Sequence, residues 1–249
     1  MGPGRGLGMV TFGRTAAIFD VDDSLLDGNA GTIFTWYLYR ERLMRPEVRS
    51  RIPRIIYEYA RDRLSEQDMV EVGSRCQQGL YADDLRAHAH ICFERHLRKR
   101  ITSGAIRQIR KHLLSGHLVV IASGSPQYIV DEVGRHLRVH AAVGTRTRIV
   151  DGKATDQIVP PVVFKEGKRA AVEVVLDKWD IDPARSFLYS DSSADVPLFE
   201  LVGNPVVVNP KAPFRAVAEK RGWELAEWKE RGRPGEEPDL ADEWGSWGG

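Results

Sequence analysis

Ala16-Ala17-Ile18-Phe19-Asp20-Val21-Asp22-Asp23-Ser24 sets the terms for reading this chain. Its first four residues are uniformly apolar, the pattern of a strand buried on both faces. Two carboxylates, two residues apart, follow directly. On an open α/β sheet that position is the crevice outside the carboxyl ends of the strands, where such folds bind ligands. Asp20 is then placed to attack, Asp22 to move a proton, and Ser24 to hold a phosphate oxygen. In isolation the same acidic pair also suits a solvated turn, so the later segments matter.

Three of them carry matching chemistry. Leu118-Val119-Val120-Ile121-Ala122 is a second apolar, β-branched run. It ends at Ser123-Gly124-Ser125-Pro126, ahead of a helical pattern that reaches about residue 137. A hydroxyl at a strand end, then glycine and a helix N-terminus, offers Ser123 and the backbone at Gly124 to an anion. With Pro126 at the first helical position, the same residues also read as an ordinary cap. Lys168, in Lys165-Glu166-Gly167-Lys168-Arg169, opens a helix running to about residue 179. A cation there opposes the helix dipole, which is tolerable when it points at an anion; Lys165 and Arg169 compete for the role. Ser186-Phe187-Leu188-Tyr189 reads as another buried strand and leads into Ser190-Asp191-Ser192-Ser193-Ala194-Asp195. Asp191 and Asp195 again lie past a strand end. Carboxylate oxygens are the ligands Mg²⁺ takes alongside substrate phosphate.

Taken in order, Asp20-x-Asp22-x-Ser24, Ser123, Lys168 and Asp191-x-x-x-Asp195 resemble the haloacid dehalogenase-like hydrolase superfamily. Glu166-Gly167-Lys168, residues 189–198, and Val206-Val207-Val208-Asn209-Pro210 with the later Arg221-Gly222-Trp223 resemble the subgroup that includes phosphoserine phosphatase. The resemblance covers about residues 14–225. It implies a doubly wound, mostly parallel α/β sheet of Rossmann-like type, interrupted by an all-helical cap. It also implies a Mg²⁺-dependent phosphatase working through an aspartyl-phosphate. Asp20 would be the nucleophile and Asp22 the general acid and base. Mg²⁺ would be held by Asp20, the Asp22 carbonyl and Asp191, with Asp195 close by. Ser24, Ser123, Gly124 and Lys168 would bind the phosphate, with Ser123 and Lys168 stabilising its charge in the transition state.

Asp22 narrows the chemistry further. Dehalogenases of this superfamily lack an acid there, and the related transport ATPases carry Thr. The chain departs from the family pattern in three places. Asp23 stands where Gly or Asn is usual, Ser24 replaces Thr, and Lys165 replaces a common Gly. The cap pattern of phosphoserine phosphatase proper is not evident. A phosphotransferase on the same fold and a non-catalytic phosphate-ligand-binding module stand as alternatives.

Between the first two strands the β-branched runs vanish and apolar residues recur at helical spacing. Ile33, Trp36, Tyr37, Tyr39 and Leu43 mark one helix; Pro46 opens a second, carrying Ile52, Ile55, Ile56 and Tyr59. Ser65 and Asp68 form a capping-box variant at a third helix, and Asp83 or Asp84 opens a fourth. The α/β core is thus expected at residues 14–29 and 101–226 and the cap at 30–100. Arg61 and Arg63, with Tyr57 and Trp36 as apolar walls, are the cap residues expected to meet substrate. Asp151-Gly152 signals a hairpin turn. Residues 1–13, rich in glycine, read as a disordered leader, and 227–249 as a loosely ordered tail containing Trp244 and Trp247.

Composition sets outer bounds. A 42% hydrophobic content suits a packed core, and 36 basic against 35 acidic residues leave a net charge of +1. No global field favours nucleic acid or a membrane surface. Cys76 and Cys92 read as buried free thiols. No apolar run approaches the ~20 residues that span a bilayer. The expectation is a cytoplasmic monomer or homodimer acting on a small phosphorylated metabolite.

Overall fold

A computed structural model describes residues 13–61 and 63–228. The first strand, β1 (Ala16–Asp20), is buried at every position. Ala17 and Phe19 enter one apolar core, Ala16 and Ile18 the other. Successive side chains leave opposite faces of a strand, so a strand covered on both sides must be apolar throughout. The turn Val21–Leu25 follows, with Asp23 at φ 54°. Aspartate is among the few non-glycine residues that tolerate this left-handed conformation, which accommodates the departure from Gly at that position.

The chain then forms α1 (Ala30–Arg40), α2 (Pro46–Arg49), α3 (Ile52–Ala60), α4 (Glu66–Gln77) and α5 (Ala82–Cys92). The single helix expected from Pro46 onward is two. Pro53 has no N–H to give the preceding turn and its ring crowds that turn's carbonyl, so α3 starts afresh at Ile52. The capping box is present in both directions: the Ser65 N–H donates to Asp68 Oδ2 (2.8 Å), and the Asp68 N–H to Ser65 Oγ (3.2 Å). Helix α5 opens at Ala82, with Asp83 and Asp84 in its first turn, where the helix dipole favours negative charge.

The core resumes with α6 (Ser103–Leu114), β2 (Leu118–Pro126), α7 (Gln127–His136), β3 (Ala141–Val150), β4 (Lys153–Val159), α8 (Glu166–Lys178), β5 (Phe187–Ser190), α9 (Val196–Phe199), β6 (Asn204–Val208), α10 (Ala212–Arg221) and β7 (Glu224–Ala226). Among the described residues these strands make one seven-stranded sheet in the order β4-β3-β2-β1-β5-β6-β7. Every pairing is parallel except β3 with β4. β1 lies between β2 and β5, with Asp20 opposite Ala122 and Phe19 opposite Tyr189. The strand order reverses there, which opens a crevice at the strand ends.

The antiparallel pair turns at Asp151 (φ 49°) and Gly152 (φ 76°), the two positive angles of a type I′ hairpin. It also grips the inserted helices through backbone bonds: Gly79 N–H to the Ala154 carbonyl, Ala154 N–H to the Leu80 carbonyl and Ala82 N–H to the Gly152 carbonyl, each 2.8 Å. Of the expected tail, residues 227 and 228 are described. Trp228 is buried, its backbone N–H donates to Asn209 Oδ1 (2.7 Å), and its ring lies over Tyr189. Most of the expected leader and the segment with Trp244 and Trp247 fall outside the described residues. Among the described residues no helix is long and apolar enough to cross a membrane.

Candidate active site

The ends of β1, β2 and β5 and the start of α8 converge on a cleft of about 120 Å³. Asp20, the last residue of β1, and Lys168, in the first turn of α8, are both buried; Lys168 Nζ donates to Asp20 Oδ1 (2.7 Å) and Asp195 Oδ2 (2.5 Å). The ambiguity among the three cations resolves locally. Lys165 turns outward at φ 47° with its ammonium over the Phe164 ring, and Arg169 pairs with Glu173. Gly167 is required by close approach: a Cβ there would stand 1.9 Å from the Val162 carbonyl oxygen. The chain can bring α8 this near the cleft only without a side chain at that position.

Asp22 is held by three donors. The Ala30 N–H (2.5 Å) binds Asp22 Oδ1, while the Ser123 and Ser125 hydroxyls (2.7 and 2.8 Å) bind Oδ2. Burial pushes the Asp22 carboxyl above its ordinary range despite these hydrogen bonds. A carboxyl that tends to keep its proton is suited to give one away.

Charge is unevenly matched around the cleft. Burial lifts Asp20 well above the usual carboxylate range; Lys168 pulls it down, and Asp195, Asp191 and Asp22 push it further up. Asp191 is raised to about 7 by burial and then by Asp23. Burial alone would lower Lys168, but the Asp195 and Asp20 charges hold it above its ordinary value. Several buried carboxylates thus share one ammonium, an excess of negative charge that a cation would relieve.

The carboxylates of Asp20 and Asp191 converge on one hydroxyl. Ser24 Oγ is 3.3 Å from Asp20 Oδ2 and 3.0 Å from Asp191 Oδ1, and it accepts the Asp191 N–H at 3.0 Å. Among the described residues no three Asp, Glu, His or Cys side chains gather into a closed metal cage. Two carboxylates beside an open cleft fit Mg²⁺, which binds through one or two carboxylates and leaves other positions to water and phosphate.

Ser24 and Ser123 are fully buried and face carboxylates, not the cleft. Each hydroxyl has one proton, and the carboxyl oxygen within about 3 Å takes it. Asp195 receives Lys168 and the Ser190 hydroxyl (2.7 Å), both on Oδ2, and it lines the cleft. Gly124 and the unforeseen Ser125 line the cleft. Ser125 is the second hydroxyl of a Ser-Gly-Ser run, a signal that was available in the sequence.

A family model described as haloacid dehalogenase-like hydrolase matches residues 17–200. The chain belongs to that family. Its likeness within the family runs to phosphatases. It is 28% identical over 225 residues to phosphoserine phosphatase SerB1 of Mycobacterium tuberculosis, covering 86% of this chain and 71% of that one. A Bordetella pertussis protein of unknown function superposes with a TM-score of 0.74 at 27% identity, over 86% of this chain and 98% of that one. A phospho-aspartyl intermediate analogue of phosphoserine phosphatase shares the fold, with a TM-score of 0.62 at 17% identity over 88% and 95% of the two chains. This chain is a phosphatase of the haloacid dehalogenase-like type, in the phosphoserine phosphatase-like group.

The four cap residues expected at the substrate lie elsewhere. Arg61 sits over the Tyr57 ring (4.8 Å), and Tyr57 is half-exposed. Arg63 pairs with Glu58, and Trp36 stacks on Tyr39 beside a separate hollow. The cap instead sends Tyr59, Met69, Val70 and Gly73, with Gly31 and Thr32 of α1, to the cleft.

Proposed function

We propose that this phosphatase hydrolyses a small phosphomonoester through a phosphoryl group carried on Asp20. The reading rests foremost on one observation: a buried Asp20–Lys168–Asp195 chain shares a cleft with Asp22, whose carboxyl is caged by three donors. An Asp20 oxygen attacks phosphorus, and the bond from phosphorus to the leaving oxygen breaks. Asp22 gives its proton to that oxygen. A water then attacks the same phosphorus and passes a proton to Asp22, which frees Asp20 and releases phosphate. Lys168 and the backbone at Gly124 stabilise the phosphoryl oxygens. Mg²⁺, held by Asp20 and Asp191, would screen the repulsion between the Asp20 carboxylate and the phosphate dianion.

The test is phosphate release from p-nitrophenyl phosphate, with Mg²⁺ and with a chelator. Activity should need the metal. Asp20→Asn should abolish turnover with the fold intact, and Asp22→Asn should cost about 10² to 10⁴ in kcat. Near-normal turnover by Asp20→Asn would overturn the covalent route.

A further inference from the structure

Beyond the groups that handle phosphate, the cleft lining is mixed: Asp23, Asn29, Thr32 and Ser192 stand on it with a patch of apolar side chains. Met69 and Val70 of α4 and Tyr59 of α3 face it from the cap, and Val163 and Phe164 from the core. Val70 stands directly above the phosphate-binding turn: its Cγ2 is 3.2 Å from where a Cβ on Gly124 would be. The cations lining the cleft, among the described residues, are Lys168 and Lys211. Lys168 is occupied by Asp20 and Asp195. Lys211 is exposed, and an ion pair in water contributes little.

We infer that the leaving group is a neutral alcohol with a compact apolar body, and not an amino acid or other carboxylate-bearing head. This rests on the phosphatase reading above and names its substrate class. A zwitterionic head such as that of phosphoserine would bring a carboxylate and an ammonium against Met69, Val70 and Tyr59. Acidic side chains such as Asp23 could meet the ammonium, but burying the carboxylate with no cation beyond Lys168 and Lys211 is strongly unfavourable. An alkyl group in the same place loses only its contact with water. Each methylene buried contributes about 0.8 kcal/mol, roughly fourfold in affinity. The small cleft limits how many can be accommodated.

The experiment is a homologous series. kcat/KM is measured in Mg²⁺ for ethyl, n-propyl, n-butyl and n-pentyl phosphate and for O-phosphoserine. The alkyl series should climb about two- to fourfold per methylene and then level off as the cleft fills. O-phosphoserine should fall at least tenfold below n-propyl phosphate. Equal or better turnover of O-phosphoserine, or a flat alkyl series, overturns the inference. The same ligands are titrated by calorimetry against Asp20→Asn, where the same order of affinities is required. If nothing is turned over but that order holds, the phosphatase reading fails while the cleft's selection of a neutral apolar body over a zwitterion stands; if the order is absent or reversed, the inference fails whatever the activity. Val70→Arg adds a cation to the roof. It should raise kcat/KM for O-phosphoserine about tenfold and lower it for n-butyl phosphate by a similar factor. A folded Val70→Arg protein with unchanged preference counts against the roof as the selecting surface.

Discussion

Replacing Lys168 with methionine would leave two buried carboxylates facing each other across the space where the ammonium sat. Lys168, Asp20 and Asp195 are each no more than 5% exposed, and the two ion pairs are 2.7 and 2.5 Å long. After substitution Asp195 keeps the Ser190 hydroxyl and Asp20 keeps the longer contact with Ser24, but among the described residues neither has another ion pair. Removing one partner of a buried pair destabilises by about 3–5 kcal/mol. A stranded carboxylate can instead take up a proton, and at pH 7 that costs about 4 kcal/mol from an ordinary carboxylate, which is the same size. At roughly 2–4 °C per kcal/mol for a chain of this length, the melting temperature should fall by roughly 6–20 °C. Lys165→Met, on the exposed lysine three residues earlier, should stay within about 0.5 kcal/mol of the parent. Adding Asp195→Asn to Lys168→Met removes one stranded charge and should restore at least about 1 kcal/mol, a coupling that only contacting residues show. Scanning calorimetry of the parent and the three variants reads all of this. A Lys168→Met protein that loses less than about 1 kcal/mol, or a Lys165→Met protein that loses as much, refutes the placement of the buried lysine.

Gly167→Ala puts a methyl on the Val162 carbonyl oxygen, so α8 must shift. The expected result is a drop in kcat of about tenfold or more, with O-phosphate binding weakened because Lys168 moves with its helix; unchanged kinetics would refute the close approach. His112 is buried against Phe19, Phe187 and Tyr189 beside His117, and burial, with His117 and Lys111, lowers it to about 4. Its folded value lies below the unfolded one, so the unfolded state binds more protons between about pH 6.5 and 4, and stability is lost as pH falls through that window. The loss comes to about 3 kcal/mol, and urea midpoints for His112→Gln should fall less steeply with acid than those of the parent; parallel profiles would exclude His112 as the cause.

The strands that carry the chemistry were legible because burial on both faces leaves no choice of residue. Ala16-Ala17-Ile18-Phe19 and Leu118-Val119-Val120-Ile121 could be little else. Their order in the sheet was expected only through the family likeness. Phe19 pairs with Tyr189, 170 positions away, and nothing local specifies that. Lys168 and Lys165 were hard to separate from sequence, since both flank Glu166-Gly167. The difference is a backbone angle at Lys165 and a carbonyl at Val162. The cap was the least legible part. Its arginines and aromatics drew notice as recognition chemistry, whereas Met69 and Val70 look like any apolar pair on a helix. Which of them meets the cleft depends on where α3 restarts after Pro53, and on the hairpin bonds at Gly79, Leu80 and Ala82.

This division of labour explains what the comparisons can transfer. Asp20, Lys168, Asp195 and the hydroxyls around Asp22 sit on strand ends and a helix start that the central sheet fixes, with little exposure and several hydrogen bonds each. A change at any of them strands a buried charge, so chains that diverge to 28% identity can still share this chemistry. Val70 and Met69 have no such ties. They reach the cleft from α4, whose following residues Gly79, Leu80 and Ala82 the β3–β4 hairpin holds by backbone hydrogen bonds. Substituting either residue alters the wall without disturbing a charged network. The proposed reaction is thus tied to residues at the strand ends, while the proposed leaving-group preference is tied to α4 of this chain.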